Sequence, residues 1–249
     1  MYITTSGLVL RETTYKESSK ILTVLTASEG KLTVNAKGAR RRGSKSAAGT
    51  QLFTFSEMTL YSGRGGWTLT ETRSIEQFSG LRDDLEKLAL ASYFAELLEA
   101  VSDEDAPNPE ILQLGLNALF AVSESLREDK LIKAAFEMRL LAISGYAPSV
   151  DCCAVCGKEE PEEPYLSLGG LLHCRGCDAG DNMPSEKLDR GSLDALRYVI
   201  AADPKRIFSF KISDDALERL SACAEKYLLT QLDRRFHTLE YYKNVTAQR

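Results

Sequence analysis

Residues 21–35, ILTVLTASEGKLTVN, have the pattern of a β-hairpin. Two runs rich in β-branched and apolar side chains, Ile21–Leu25 and Lys31–Asn35, lie on either side of Ser28-Glu29-Gly30. Gly30 can adopt a positive φ at no steric cost, which suits a tight turn. The segment therefore predicts two antiparallel strands.

Further strand-like runs lie on both sides of this hairpin. Leu8–Leu10 precedes it, and Gln51–Tyr61 and Trp67–Thr72 follow it, the last two joined by the glycine-rich residues 62–66. Five short strands in about eighty residues, without a helical period, predict a small closed barrel. An OB-fold and an SH3-like barrel both fit this pattern.

The hydrophobic period changes to that of a helix at Leu81. Leu81, Leu85, Leu88, Ala95 and Leu98 share one face of a predicted helix that ends near Val101. Later segments predict helices over residues 109–126, 130–144, 192–202 and 213–239, with Pro109 at a first helical position and Ser213 as an N-cap. We expect two domains, residues 1–80 and residues 81–249, with a cysteine-containing insert at 150–184.

Composition excludes several classes of protein. The 249 residues are 43% hydrophobic and 27% charged, with a mean hydropathy of -0.22, as in globular proteins. No run approaches the roughly 18 apolar residues of a membrane span, and the N-terminus lacks the pattern of a signal peptide. We therefore expect a cytoplasmic protein without a membrane partner.

Charge is distributed unevenly along the chain. Residues 1–80 carry 11 Lys and Arg against 6 Asp and Glu, whereas the remainder carries 20 against 30. Contact with a polyanion is therefore more plausible for the first segment than for the second.

Four of the six cysteines have the spacing of a zinc site. Cys153-x2-Cys156 is followed after seventeen residues by Cys174-x2-Cys177. Two such knuckles close a tetrahedron of thiolates around Zn²⁺, and Gly157 and Gly176 are placed where chain reversal favours positive φ. The alternative is a degenerate site that keeps its cysteines without a metal.

The remaining candidate ligands fit the site less well. Cys152 could replace Cys153, although Cys152-x3-Cys156 is a less usual knuckle. His173 is interpreted as a bystander and Cys223 as a core residue. Four thiolates leave no open coordination position, so a structural Zn²⁺ is expected.

No catalytic constellation is apparent in the sequence. Neither His173 nor His237 begins the His-x-Glu of a zinc deaminase, and there is no phosphate-binding Gly-x4-Gly-Lys-Ser/Thr loop. We therefore expect neither an enzyme nor a small-molecule substrate.

Residues 31–50 form a basic segment without an acidic residue. Arginine pairs bidentately with phosphate oxygens, so cations at the mouth of a small barrel suit nucleic-acid binding. The alternative is a solvated loop that aids solubility. The candidate aromatic side chains for base stacking are Tyr15, Phe53, Phe55, Tyr61 and Trp67. We expect the phenylalanines in the core, whereas Trp67 lies at a strand start beside glycines.

Several separated motifs resemble the bacterial RecO recombination mediator family over nearly the full chain. In the first domain they are Gly7-Leu8-Val9-Leu10-Arg11, Tyr15-Lys16-Glu17-Ser18, Thr26-Ala27-Ser28-Glu29-Gly30-Lys31-Leu32 and Ala36-Lys37-Gly38-Ala39-Arg40-Arg41. Further on they are Phe136-Glu137-Met138-Arg139-Leu140-Leu141, Gly145-Tyr146-Ala147-Pro148 and Cys153-Ala154-Val155-Cys156-Gly157. The doubled Cys152-Cys153 departs slightly from the family pattern and leaves the first metal ligand open.

The resemblance implies an α+β multidomain protein: an N-terminal OB-fold β-barrel and an α-helical domain that carries a four-cysteine zinc module. It implies a non-enzymatic role in RecF-pathway DNA repair and DNA recombination, at the nucleoid in the cytoplasm. The implied partners are single- and double-stranded DNA, RecR and single-strand-binding protein.

The same resemblance implies site residues. DNA contact falls on Lys37, Arg40, Arg41, Arg42 and Lys45, and metal binding on Cys153, Cys156, Cys174 and Cys177. Lys133 and Arg139 are possible contacts for the acidic tail of single-strand-binding protein. The rival hypothesis is a zinc-ribbon protein–protein adaptor with little or no nucleic-acid binding.

Overall fold

The computed structural model describes residues 1–104 and 106–247, and its first element is a closed barrel of five strands. The strands are β1 (Tyr2–Tyr15), β2 (Ser19–Thr26), β3 (Lys31–Ala36), β4 (Phe55–Gly63) and β5 (Gly66–Glu76). They are hydrogen-bonded in the order β1-β2-β3-β5-β4, with β4 returning to β1. All pairs are antiparallel except β3 with β5. The expected OB-like barrel is confirmed, because this is the five-stranded Greek-key arrangement.

The barrel forms because alternate strand residues are apolar and point inward. The core includes Val9, Leu22, Val24, Leu32, Val34, Met58 and Leu60, all buried. Gly30 adopts the expected positive φ, 68°, in the β2–β3 turn. A Cβ there would also lie 2.8 Å from the backbone nitrogen of Ala106. Glycine is therefore required both for the positive φ and for the close approach of Ala106.

Six helices are present among the described residues. They are α1 (Leu85–Val101), α2 (Pro109–Ser123), α3 (Asp129–Leu141), α4 (Arg190–Ala201), α5 (Asp214–Gln231) and α6 (His237–Thr246). A π-helical turn, Ala142–Tyr146, follows α3 and contains Gly145 at φ 89°. Pro109 occupies the first turn of α2, as expected, and Ser213 is the N-cap of α5 but makes no side-chain capping hydrogen bond.

The prediction of a single helix over residues 213–239 was wrong, because the structure has two helices there, α5 and α6. Asp233 has a left-handed φ of 43°, which ends α5 and lets the chain change direction. The two helices then have different partners: α5 packs on α3 and α4, whereas α6 packs on α1. No proline or glycine marks this break in the sequence.

The chain divides into two compact units. The first comprises Met1–Glu124 and the segment from Phe236, and therefore holds the barrel with α1, α2 and α6. The second, Ser125–Arg235, holds α3, α4, α5 and a small sheet of β6 (Pro164–Ser167), β7 (Leu172–Cys174) and β8 (Ser185–Lys187) in the order β7-β6-β8. The expected domain division near residue 80 stays a prediction.

None of the helices among the described residues combines the length and apolarity that crossing a bilayer requires.

Candidate metal centre and nucleic-acid interface

Four cysteine side chains converge in the second unit. The Sγ atoms of Cys153, Cys156, Cys174 and Cys177 all lie within 4.8 Å of one another, and those of Cys156 and Cys174 are 3.7 Å apart. A Zn²⁺ ion with bonds of about 2.3 Å to four tetrahedral thiolates has sulfur–sulfur edges of about 3.8 Å. The four donors therefore fit a tetrahedral, thiophilic metal ion.

Backbone hydrogen bonds shape the two knuckles. Gly157 N donates to the Cys153 carbonyl at 2.9 Å, and Cys177 N donates to the Cys174 carbonyl at 3.0 Å. Gly157 has the expected positive φ of 71°, but Gly176 does not, so that part of the expectation was wrong. The second knuckle closes without a left-handed residue at Gly176.

Arg197 of α4 holds the segment around the first knuckle. Its guanidinium donates to the carbonyls of Val150 at 2.8 Å, Asp151 at 2.9 Å and Glu159 at 2.7 Å. Helix α4 is itself fixed by a capping box between Asp189 and Ser192. The sequence did not identify Arg197, because its partners lie 38 to 47 residues away along the chain.

The thiol pKa values show what a bound cation would change. Burial by itself raises the pKa of Cys153, but the backbone N–H groups of Cys156, Val155 and Cys174 lower it to about 6 overall. Burial and the neighbouring Cys156 and Cys153 thiols raise the pKa of Cys174 to about 12. Four thiolates in such proximity repel one another, so a divalent cation is what allows all four to ionise.

The other candidate ligands lie outside this cluster. Both ring nitrogens of His173 are engaged, one with Ser185 Oγ at 2.8 Å and one with the Cys174 carbonyl at 3.0 Å. Cys152 is half-buried beside the first knuckle but does not join the four thiols. Cys223 is buried in α5, and burial raises the pKa of its thiol to about 12.

The basic segment after β3 lies on the surface of the barrel. Exposed positions along it are occupied by Lys37, Arg40, Arg41, Arg42 and Lys45. Ala39 is buried in the barrel core, and Arg40 N donates to the Ser18 carbonyl at 3.0 Å. The backbone of this segment, residues 37–45, which we call the basic loop, is thus anchored while its cations face solvent.

The cations of the basic loop differ from others on the barrel in having few protein partners. Arg11, Lys20 and Arg73 form ion pairs with glutamates. Within the described part of the chain, Lys37, Arg41, Arg42 and Lys45 form no ion pair, and the Arg40 guanidinium donates only to the Glu17 carbonyl. These charges are therefore available to an anionic ligand.

The aromatic candidates divide between core and surface. Phe53 is buried, and Trp67 is half-buried and packs against the barrel core. Tyr15 and Tyr61 are exposed, and Tyr61 contacts Tyr2, which the sequence reasoning did not consider.

Lys133 does not provide a contact for an acidic tail. It is 4% exposed, and its Nζ pairs with Glu137 at 2.8 Å and Glu225 at 2.9 Å. Arg139 is half-buried and donates to the Ile200 carbonyl. Both residues serve the packing of the second unit, so the expectation of a surface contact at Lys133 was wrong.

In comparison with known proteins, both parts of the chain match models of the same protein family. The family described as "Recombination protein O N terminal" matches residues 1–78, and "Recombination protein O C terminal" matches residues 82–240. A DNA repair protein RecO of Acetivibrio thermocellus is 34% identical over 246 residues, covering 98% of this chain and 97% of that protein. Another, from Alkaliphilus metalliredigens, is 33% identical, covering 98% of this chain and all of that protein.

Proposed function

Because the chain belongs to the RecO family of DNA repair proteins, we propose that it is a DNA-binding recombination mediator. It binds single- and double-stranded DNA, anneals complementary strands and, with RecR, assists recombinase loading on DNA coated by single-strand-binding protein. It acts in the cytoplasm, at the nucleoid, without catalytic turnover.

The observation that carries this proposal is the basic loop on the barrel. Five exposed cations, without a carboxylate among them, project from an anchored backbone: Lys37, Arg40, Arg41, Arg42 and Lys45. Each can take the place of a counterion on a phosphate, and the released counterions drive binding. Because neutralised strands repel each other less, the same surface favours the meeting of two complementary strands.

The metal centre has a structural part in this proposal. Cys153, Cys156, Cys174 and Cys177 would hold Zn²⁺, which supplies cross-linking of the two knuckles rather than chemistry, since four thiolates leave no position for water or substrate. The ligand geometry supports this role, because the two knuckles come from segments about twenty residues apart in the chain.

Annealing of two complementary oligonucleotides tests the proposal. We expect the wild type to accelerate annealing and Arg40→Ala/Arg41→Ala/Arg42→Ala to lose most of this effect. If all five cations of the basic loop contact phosphates, single-strand affinity should fall with salt with a log–log slope of about -3.5, and the triple variant should lower its magnitude by about 2.

A matched control removes three cations from the second unit. Lys205, Arg206 and Lys211 are exposed, so their triple alanine variant changes the net charge equally and should anneal like the wild type. Annealing that survives the loop variant would move the DNA site elsewhere. A folded, zinc-loaded wild type that neither binds nor anneals DNA would favour the protein–protein adaptor instead.

A further inference from the structure

A shallow groove lies at one end of the barrel, next to the basic loop. It has a volume of about 320 Å³. The start of β1, the end of β3 and the β4–β5 turn border it, and its lining includes Tyr2, Asn35, Lys37, Tyr61, Arg64 and Thr68. We call it the tyrosine groove.

Two tyrosine rings form one wall of the tyrosine groove. Tyr2 and Tyr61 are directly paired across β1 and β4, and their ring centroids are 4.9 Å apart at an interplanar angle of 47°. Tyr2 is 66% exposed and Tyr61 is 40% exposed. Two neighbouring aromatic side chains that remain in solvent provide a ready surface for another π-system.

The turn beside these rings leaves room for them. A Cβ on Gly63 would lie 2.9 Å from Cε1 of Tyr61, so the absence of a side chain there allows the ring its position. A Cβ atom added at Gly65 or Gly66 would have no neighbouring atom within 4 Å, so the turn itself borders open space.

The charge of the tyrosine groove is entirely positive. Lys37 and Arg64 line it, and no carboxylate does. Neither cation forms an ion pair within the described residues, whereas Arg73 on β5 pairs with Glu57. Aromatic faces combined with unpaired cations are the combination that binds single-stranded nucleic acid, where bases stack and phosphates are neutralised.

We propose that the tyrosine groove binds one unpaired nucleobase of a single strand, stacked against Tyr61 and Tyr2, with the adjacent phosphates on Lys37 and Arg64. This rests on the proposed DNA-binding function and deepens it. A base in a duplex has both faces covered by its neighbours, so stacking on the two tyrosines contributes to single-strand binding alone. Lys37 belongs to both surfaces, which places the stacked base beside the phosphates held by the basic loop.

Binding of a single-stranded oligonucleotide and of its duplex, measured by fluorescence anisotropy, tests this proposal. Tyr61→Ala and Tyr2→Ala should each weaken single-strand binding about fivefold or more, the lower end of what alanine substitution gives for one stacked base. Duplex binding should be unchanged. Tyr241→Ala is the matched control, because Tyr241 is 50% exposed on α6 and lies outside the groove.

Salt dependence separates stacking from charge. Loss of a tyrosine removes no phosphate contact, so the log–log slope should stay that of the wild type, whereas Arg64→Ala should lower its magnitude by about 0.7. A change in the ligand provides a further test: a single strand with abasic positions should bind the wild type more weakly than the intact strand. The Tyr2→Ala/Tyr61→Ala variant should not distinguish these two strands.

The possible failures are distinguishable. If the wild type binds single strands but the tyrosine variants bind equally well, the stacking site is wrong and the proposed function stands. An equal loss of single-strand and duplex affinity in those variants also refutes the site, since it indicates a general disturbance of the barrel. If the wild type binds no DNA, both proposals fall together.

Discussion

At the scale of single residues, the cysteine thiols depend on one another. Cys156 is exposed, yet its Sγ lies 3.7 Å from that of Cys174, and each of the four thiols has the other three as close neighbours. Removing one ligand from such a site leaves the other three with an incomplete coordination shell. Since a metal that binds only the folded state stabilises it, ligand loss and stability loss go together.

Cys156→Ser should therefore release Zn²⁺ and lower the melting temperature of the second unit. Metal content measured by atomic emission, together with thermal melting followed by circular dichroism, checks this. Cys152→Ser is the control, because Cys152 lies beside the knuckle but outside the cluster, and it should retain the metal. An unchanged melting curve for Cys156→Ser would refute the structural role.

Lys133 shows how a buried charge is tolerated. Burial opposes its ionisation, but Glu137 and Glu225 raise the pKa of Lys133 above its ordinary 10.5. Lys133→Met should cost about 3 kcal/mol or more, because it removes the Lys133 ammonium group from Glu137, whose side chain is 0% exposed. Lys133→Met/Glu137→Leu should recover most of this loss, as measured by urea unfolding; a double variant no more stable than the single one would contradict the explanation.

The same ion pair sets a pH dependence. Because the folded pKa of Lys133 lies above the unfolded one, its contribution to stability is present at lower pH and is lost as pH rises through the folded pKa. The difference in unfolding free energy between the wild type and Lys133→Met should therefore narrow above about pH 10.5. A difference that is constant to higher pH would argue against the pairing.

At the scale of elements, α4 supports the metal centre from outside its ligand set. Arg197 links this helix to the carbonyls of Val150, Asp151 and Glu159, on both sides of the first knuckle in the chain. Hydrogen-bonding partners outside the ligand set fix the orientation of the metal ligands. Removing such a partner typically lowers metal affinity by about 10- to 100-fold. Helix α4 thus fixes the backbone on both sides of the first cysteine knuckle.

Arg197→Met should therefore weaken Zn²⁺ binding by about 10-fold or more while the four cysteines remain. Competition with a chromophoric chelator measures this affinity. Arg190→Met, at the exposed start of the same helix, is the control, because its ion-pair distances are 3.8 Å and it donates to no knuckle carbonyl. Equal Zn²⁺ affinities for the two variants would show that the hydrogen bonds of Arg197 do not contribute to metal binding.

At the scale of the whole molecule, the two candidate sites belong to different compact units. The basic loop is in the first, and the four cysteines are in the second. The basic loop also lies within residues 1–80, where basic residues exceed acidic ones.

Loss of the metal and loss of DNA binding should therefore be separable. The zinc-free Cys153→Ser/Cys156→Ser variant should bind a single-stranded oligonucleotide with a salt slope like that of the wild type. The loop variant Arg40→Ala/Arg41→Ala/Arg42→Ala should keep its zinc and its melting temperature. A zinc-free protein with an intact barrel spectrum but no DNA binding would show that the metal supports the DNA surface.

The sequence by itself determined the features that depend on local pattern. Alternation of apolar residues predicted the five barrel strands, Gly30 predicted the hairpin turn, and Cys-x-x-Cys spacing predicted which thiols meet. It also identified the exposed cations of the basic loop, because a run of charges is not buried. The assignments of these residues to DNA and to Zn²⁺ remain predictions.

Only the tertiary structure decided features that depend on contacts between distant residues. Nothing local marks the break at Asp233, which follows from α5 and α6 packing on different helices. The buried Lys133 is paired with Glu225, which lies on a different helix, α5. The hydrogen bonds of Arg197 likewise require the carbonyls near the first knuckle to lie next to α4. The tyrosine groove depends on the β1–β4 register that sets Tyr2 opposite Tyr61, because strand pairing, unlike strand formation, is a property of the closed barrel.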